Sequence, residues 1–145
     1  MFLDASAIVA ILAGEEDAGY LLAKIEMSEG LKIYSPLSML EAVISLARIV
    51  SISQFGDQVP TPPELIDEVQ EDVAKFLETI GAREVPVSGS LQRNAIEAAR
   101  NYGRFVGHPA RLNFGDCFSY ACAKEYRLPL LFKGDDFSKT DIDAA

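Results

Sequence analysis

Histidine is almost missing from this chain: His108 is the one example in 145 residues. A lone imidazole weakens any Ser-His-Asp or Cys-His scheme for nucleophilic catalysis. Within Gly107-His-Pro-Ala-Arg111 it has no clustered Cys, Asp or Glu partners, so it reads as a loop residue and not a metal ligand. Cysteine is nearly as scarce. Cys117 and Cys122, five residues apart, fit neither a zinc site nor a thioredoxin-like pair. In the apolar run CFSYACA they read as small buried hydrophobes of a reduced, cytoplasmic chain. No G-x-x-x-x-G-K-S/T or G-x-G-x-x-G phosphate loop is present. Phe2–Leu12 is apolar but contains Asp4, lacks a basic flank and is far short of a membrane span, so neither a targeting segment nor a membrane partner is expected. Basic residues are also in deficit, 13 Lys and Arg against 22 Asp and Glu, for a net charge of −9. That balance argues against a broad nucleic-acid-binding surface unless local basic patches or bound cations offset it.

What is present is an apolar share of 49%, which suits a globular core. One domain spanning 1–145 is expected. A chain of this size buries roughly 68–70% of the surface its unfolded form exposes and needs no disulfide.

Short apolar runs alternate with helical patterns. Strands are expected at Phe2–Leu3, Leu31–Tyr34, Glu84–Val87 and Leu128–Phe132. Helices are expected over Ser6–Ala13, about Glu15 to Met27, from Ser35-Pro36 to about Ile52, Ser90–Tyr102 and Phe114–Tyr126. Gly56–Pro63 is a proline-rich break. The best periodic helix follows it, with Leu65, Ile66, Val69, Val73, Phe76, Leu77 and Ile80 on one stripe and Gly81 as its stop. Gly103–Leu112 and the acidic tail Lys133–Ala145 read as loops. The alternation implies α/β architecture with a mostly parallel central sheet covered on both faces. In such folds ligands bind beyond the carboxyl ends of the strands.

Acids stand at those ends. Asp4 follows the first strand, where it serves either as a helix cap or as a cation ligand, since an unpartnered acid there is poorly hydrated. Glu41 completes an S-x-x-E capping pattern with Ser38, or else lies inside a helix begun at Ser35-Pro36. Asp116, three residues after Asn113, suits a helix start favoured by the macrodipole. Asp135 and Asp136 follow Gly134, and a Gly-Asp turn accounts for one of the two. Asp141 is a further outer acid or part of a solvated tail. Independent caps have no reason to gather at one sheet edge, and several empty carboxylates there would repel one another. Hard oxygen donors select Mg²⁺ or Mn²⁺, and the matching chemistry is metal-assisted attack of water on a phosphodiester.

MFLDASAIVAIL, SPLSMLEAV and LNFGDCFSYACAKEYRLPLLFKGDDFSKTDI together resemble a PIN domain, and more narrowly the VapC toxins of bacterial toxin–antitoxin pairs. The segment from about Ser51 to Arg104 matches only in its order of elements. The resemblance implies an α/β/α sandwich, Mg²⁺-dependent endoribonuclease activity on an RNA substrate, a cognate antitoxin that blocks the site, and a homodimer. By position, Asp4, Glu41 and Asp116 match the three central acids. Many relatives carry the fourth acid where this chain has Gly134; Asp136, beside Phe137, is favoured over Asp135. Ser6, Asp135 and Asp141 would be supporting residues. Arg93, Arg100 and Arg104 share one helical face, but Glu97 among them marks it as a solvated surface. Arg111 and Lys133, each near a site acid, are the better candidates for RNA phosphate contacts. RNA readers of single-stranded shape need no broad basic surface.

Two other classes stay open. A haloacid-dehalogenase-like phosphatase needs a second Asp two places after the first, and position 6 is Ser. A catalytically silent PIN-like binding module is disfavoured by the intact acids.

Overall fold

The computed structural model describes residues 1–145. Four short parallel strands, β1 (Phe2–Leu3), β2 (Ile33–Tyr34), β3 (Arg83–Glu84) and β4 (Leu130–Leu131), form one sheet in the order β3-β2-β1-β4. Six helices connect and cover them: α1 (Ala5–Leu12), α2 (Ala18–Met27), α3 (Pro36–Phe55), α4 (Pro63–Thr79), α5 (Gly89–Tyr102) and α6 (Phe114–Tyr126).

Each strand is only two paired residues long, so the two-residue period of a strand decides the layering. Phe2, Ile33 and Leu130 point into one core, shared with Leu91, Ala95 and Ala98 of α5 and Cys117, Ala121 and Cys122 of α6. Leu3 and Leu131 point into the other, shared with Ile8, Leu21, Leu46, Val73 and Leu77 from α1 to α4. The result is an α/β/α sandwich.

Local signals account for most boundaries. Ser35 caps α3 by accepting a hydrogen bond from the Ser38 amide, with Pro36 in the first turn. Gly81 closes the chain after α4 with φ +67°, a left-handed conformation that costs glycine little. On α4, Leu65, Val69, Val73 and Leu77 are buried as their spacing predicts.

Three expectations need correction. The third strand is Arg83–Glu84 and not Glu84–Val87, because it is an edge strand with both residues exposed and Pro86 has no amide for a ladder. The tail is not all loop: Asp136–Lys139 forms a 3-10 turn, and Ala144 pairs in parallel with Leu130 at the other sheet edge. Arg104 is not on α5, which ends at Tyr102; it opens a 3-10 turn over Arg104–Val106.

One window of α3, with a mean hydropathy of 1.4, is long and apolar enough by composition to cross a membrane. Here it packs on α1, α4 and α6, with Ala42, Val43, Leu46 and Ala47 buried. Leu40, Ile44, Ile52 and Phe55 remain exposed on its outer side.

The chain runs from β1 outward to β2 and β3, then returns to place β4 on the far side of β1. The order therefore reverses at β1, and the crevice beyond β1 and β4 is the topological switch point. Leu77, buried within the α1–α4 core, supplies a test of this packing. Leu77→Ala is expected to lower unfolding free energy by about 2–5 kcal/mol in urea titration; a change below about 1 kcal/mol would contradict the assigned core.

Candidate active site

Asp4 begins where β1 ends. Its amide donates to Leu131 O at 3.0 Å, continuing the β1–β4 ladder by one residue. Its side chain then caps α1: Oδ2 accepts from the Ser6 amide at 2.9 Å and from Ser6 Oγ at 2.5 Å. Ser6 Oγ in turn accepts from the Lys133 amide at 3.0 Å, which ties β1, α1 and the segment after β4 together. Cap and site acid are thus compatible roles, because Oδ1 accepts no hydrogen bond. Asp4 is only 4% exposed.

Asp116 is built in the same way. Asn113 caps α6, accepting from the Asp116 amide at 3.0 Å, while Asp116 Oδ2 accepts from the Asn113 amide at 2.7 Å. This reciprocal capping box fixes the carboxyl group and leaves its second oxygen without a partner. Asp116 is 8% exposed. Burial pushes its pKa up to about 6, against the Asn113 amide, which lowers it; the charges of Asp4, Asp136 and Glu41 add to the rise.

Glu41 lies in the second turn of α3, so the Ser35 cap and not the S-x-x-E pattern defines that helix start. It is half-buried, and its pKa is raised first by burial and then by Asp4. Its carboxylate lies against Gly115, where a side chain's Cβ would stand 2.2 Å from Oε2. Asp136 is exposed at the start of the 3-10 turn, above buried Phe137, whose ring packs 5.0 Å from that of Phe132. Of the neighbouring pair, Asp136 is the one whose charge reaches Asp116. The Asp135 carbonyl accepts from Ser138 N and Oγ, holding the turn.

No lysine or arginine neutralises this group. The ion pairs are Arg100–Glu97, Lys124–Asp141 and Lys133–Glu15, all elsewhere. Nor do three or more of the acids close into a ready-made ion cage. The donor set suits Mg²⁺ all the same, which binds through one or two carboxylates and keeps several waters.

Other sequence candidates lie apart. Asp141 accepts from Lys124 Nζ at 2.9 Å, Tyr120 OH at 2.5 Å and Tyr102 OH at 3.1 Å, and these partners hold its pKa down near about 2. It clamps the tail to α5 and α6 and does not join the acid group. Lys133 turns its ammonium to Glu15. Arg111 is exposed and unpaired, with φ +54°, two residues before the α6 cap. His108 is a loop residue whose Nδ1 accepts from the Ala110 amide at 3.1 Å. Cys117 and Cys122 are buried free thiols, pushed up to about 11 and about 12 by desolvation.

Three residues near the acids were not legible as site residues. Arg104, Phe114 and Gly115 line a groove of about 380 Å³ with Glu41, Leu37, Leu40 and Ile44. Arg104 was hidden by its apparent helical register with Arg100. The exposed Phe114, just after the Asn113 cap, was the signal available.

An α/β/α sandwich of parallel strands, with buried carboxylates from distant segments facing one another at its switch point, defines a class of acid-site α/β proteins. The family model described as PIN domain matches residues 1–143, and the chain belongs to the PIN-domain family. It is 41% identical to a VapC ribonuclease of Rhizobium meliloti over 97% of this chain and 98% of the relative. It is 39% identical to Ribonuclease VapC42 of Mycobacterium tuberculosis over 100% and 98%. Among solved structures, the sarcin–ricin-loop-cleaving toxin VapC20 of Mycobacterium tuberculosis superposes with a TM-score of 0.66 at 16% identity, covering 99% of this chain and 97% of that one. A toxin–antitoxin complex from Klebsiella pneumoniae gives a TM-score of 0.61 at 14% identity, covering 94% and 89%.

The raised Asp116 pKa has a stability consequence. The folded state holds this proton up to pH about 6 while the unfolded chain releases it near 3.8. Its contribution to stability is complete below pH 3.8 and lost as pH rises through about 6. In metal-free protein the gain on going from pH 7.5 to pH 4 is at most about 3 kcal/mol from this group. Asp116→Asn is expected to raise metal-free stability at pH 7.5 and to flatten that dependence in urea titrations. An Asn variant less stable than wild type at pH 7.5 would show that the carboxylate is compensated by a partner.

Proposed function

We propose that the chain is a divalent-cation-dependent endoribonuclease acting as the toxin of a toxin–antitoxin pair. The observation that carries this reading is that Asp4, Glu41 and Asp116, from segments far apart in sequence, lie near enough for their charges to raise the pKa of Glu41 and Asp116 further than burial alone, while none of the three is in an ion pair. Burying like charges without a counter-charge is costly, and a bound cation is the partner that removes the cost. The names of the full-length relatives, VapC ribonucleases, support the same activity.

Asp4, Glu41, Asp116 and Asp136 would hold Mg²⁺, with Mn²⁺ as a substitute of similar ligand preference. When bound, such an ion supplies positive charge for the phosphodiester, orientation for the attacking water and stabilisation of the leaving oxygen. The chain's own residues supply the geometry. Ser6 fixes the Asp4 carboxylate through two hydrogen bonds, and the Asn113 amide fixes Asp116. Arg104 in the groove and Arg111 before the α6 cap present positive charge to the RNA backbone. Lys133, engaged by Glu15, serves instead to hold the segment leading to Asp136.

The surface supports two protein partners. Leu40, Ile44, Ile96, Phe105 and Phe114 are large apolar side chains left exposed on α3, α5, the following turn and α6. Such side chains suit a second copy of the chain in a homodimer and a cognate antitoxin that covers the groove beside Glu41. A reduced cytoplasmic setting agrees with the two unpaired buried thiols.

RNA cleavage assayed with Mg²⁺, with EDTA, and in Asp4→Asn and Asp116→Asn tests this. Cleavage is expected with Mg²⁺, none with EDTA, and at least about a hundredfold loss in each variant, beyond what outer-sphere groups give. Undiminished cleavage in EDTA would overturn the cation assignment. Hydrolysis of small phosphate esters without RNA cleavage would move the chain to a different class of phosphate hydrolase.

A further inference from the structure

Gly115 sits in the first turn of α6 with its Cα turned toward α3. An ideal Cβ built there stands 2.2 Å from Glu41 Oε2, 3.1 Å from Cδ and 3.3 Å from Oε1. Its φ lies outside the left-handed range, so an L side chain is conformationally acceptable, and alanine is the better helix former. The three nearest heavy atoms all belong to the Glu41 carboxylate.

The nature of the obstacle matters. At Gly103 a Cβ would meet the Ala99 carbonyl oxygen at 2.3 Å, a fixed backbone atom of α5, so that glycine is a requirement of the fold. At Gly115 the obstructing atoms are the far end of a flexible side chain, which can swing aside without moving a helix. A side chain at 115 would therefore displace one carboxylate and spare the fold. Position 41 and position 115 also line the same groove, so the displaced group would stay within that groove.

We propose that Gly115 is a positioning residue: its missing side chain supplies the room in which the Glu41 carboxylate reaches the acid group at the switch point. Its consequence for catalysis rests on the nuclease reading above, whereas the steric pairing of Gly115 with Glu41 does not.

The test is a double-mutant cycle in the full chain, with Gly115→Ala and Glu41→Ala alone and combined, read by metal-free thermal unfolding and by calorimetric titration with Mn²⁺. Gly115→Ala is expected to raise the unfolding midpoint in the Glu41→Ala background and not in the wild-type background. Alone it is expected to weaken Mn²⁺ binding about tenfold, the lower end of losses seen when a ligand's support is disturbed. It should add nothing to the loss caused by Glu41→Ala. Equal midpoint changes in the two backgrounds, or full Mn²⁺ affinity in Gly115→Ala, would overturn the proposal. Coupled midpoints with no Mn²⁺ uptake by the wild type would uphold the Gly115–Glu41 pairing and remove the cation reading of the site.

Discussion

Largely buried carboxylates without a protein counter-charge are the constraint around which this molecule is arranged. Asp4 and Asp116 are buried, Glu41 is half-buried, and the chain's ion pairs all lie elsewhere. An isolated buried carboxylate is tolerated only with hydrogen-bond donors or a cation. The structure supplies a partial answer through donors: Ser6 satisfies one oxygen of Asp4 and the Asn113 amide one oxygen of Asp116. The other oxygens are left over. The rise of Asp116 to about 6 expresses the remaining conflict, with burial first among its causes.

Topology converts this local conflict into a site. Because β1 is central and the chain returns to lay β4 on its far side, the ends of β1 and β4 and the starts of α1 and α6 converge on one crevice. Alternation along two-residue strands sends Phe2 and Leu3 into opposite cores, which locks the sheet between two helical layers and leaves the following residue at the crevice. Asp4 is that residue on β1. Capping devices then double as orienting devices, since the bonds that end unsatisfied helix amides also aim the carboxylates.

The local parts of this design were readable. Ser35-Pro36, Asn113 with Asp116, and the stripe from Leu65 to Leu77 specify helix starts and faces through short-range chemistry, and their structure agrees within a residue or two. The family itself was legible as a resemblance, carried by the runs MFLDASAIVAIL, SPLSMLEAV and LNFGDCFSYACAKEYRLPLLFKGDDFSKTDI around Asp4, Glu41 and Asp116. What escaped depended on contacts distant in sequence. Lys133 lies near Asp136 in the chain, yet Glu15, 118 residues away, claims its ammonium. Asp141 read as either an outer site acid or part of a solvated tail, but Tyr102, Tyr120 and Lys124 hold it on the flank of α6. Arg104 seemed to continue a helix face, whereas the helix ends two residues earlier and the side chain lines the groove. Gly115 carried no signal, because its role exists only relative to a carboxylate on another helix.

The most direct measurement is an anomalous-difference map from crystals of the wild-type chain soaked in Mn²⁺. The account predicts a peak at the switch point between β1 and β4, in contact with carboxylate oxygens of Asp4 and Asp116. Peaks confined to other acids on the surface, with the Asp4–Asp116 crevice empty at saturating Mn²⁺, would contradict it.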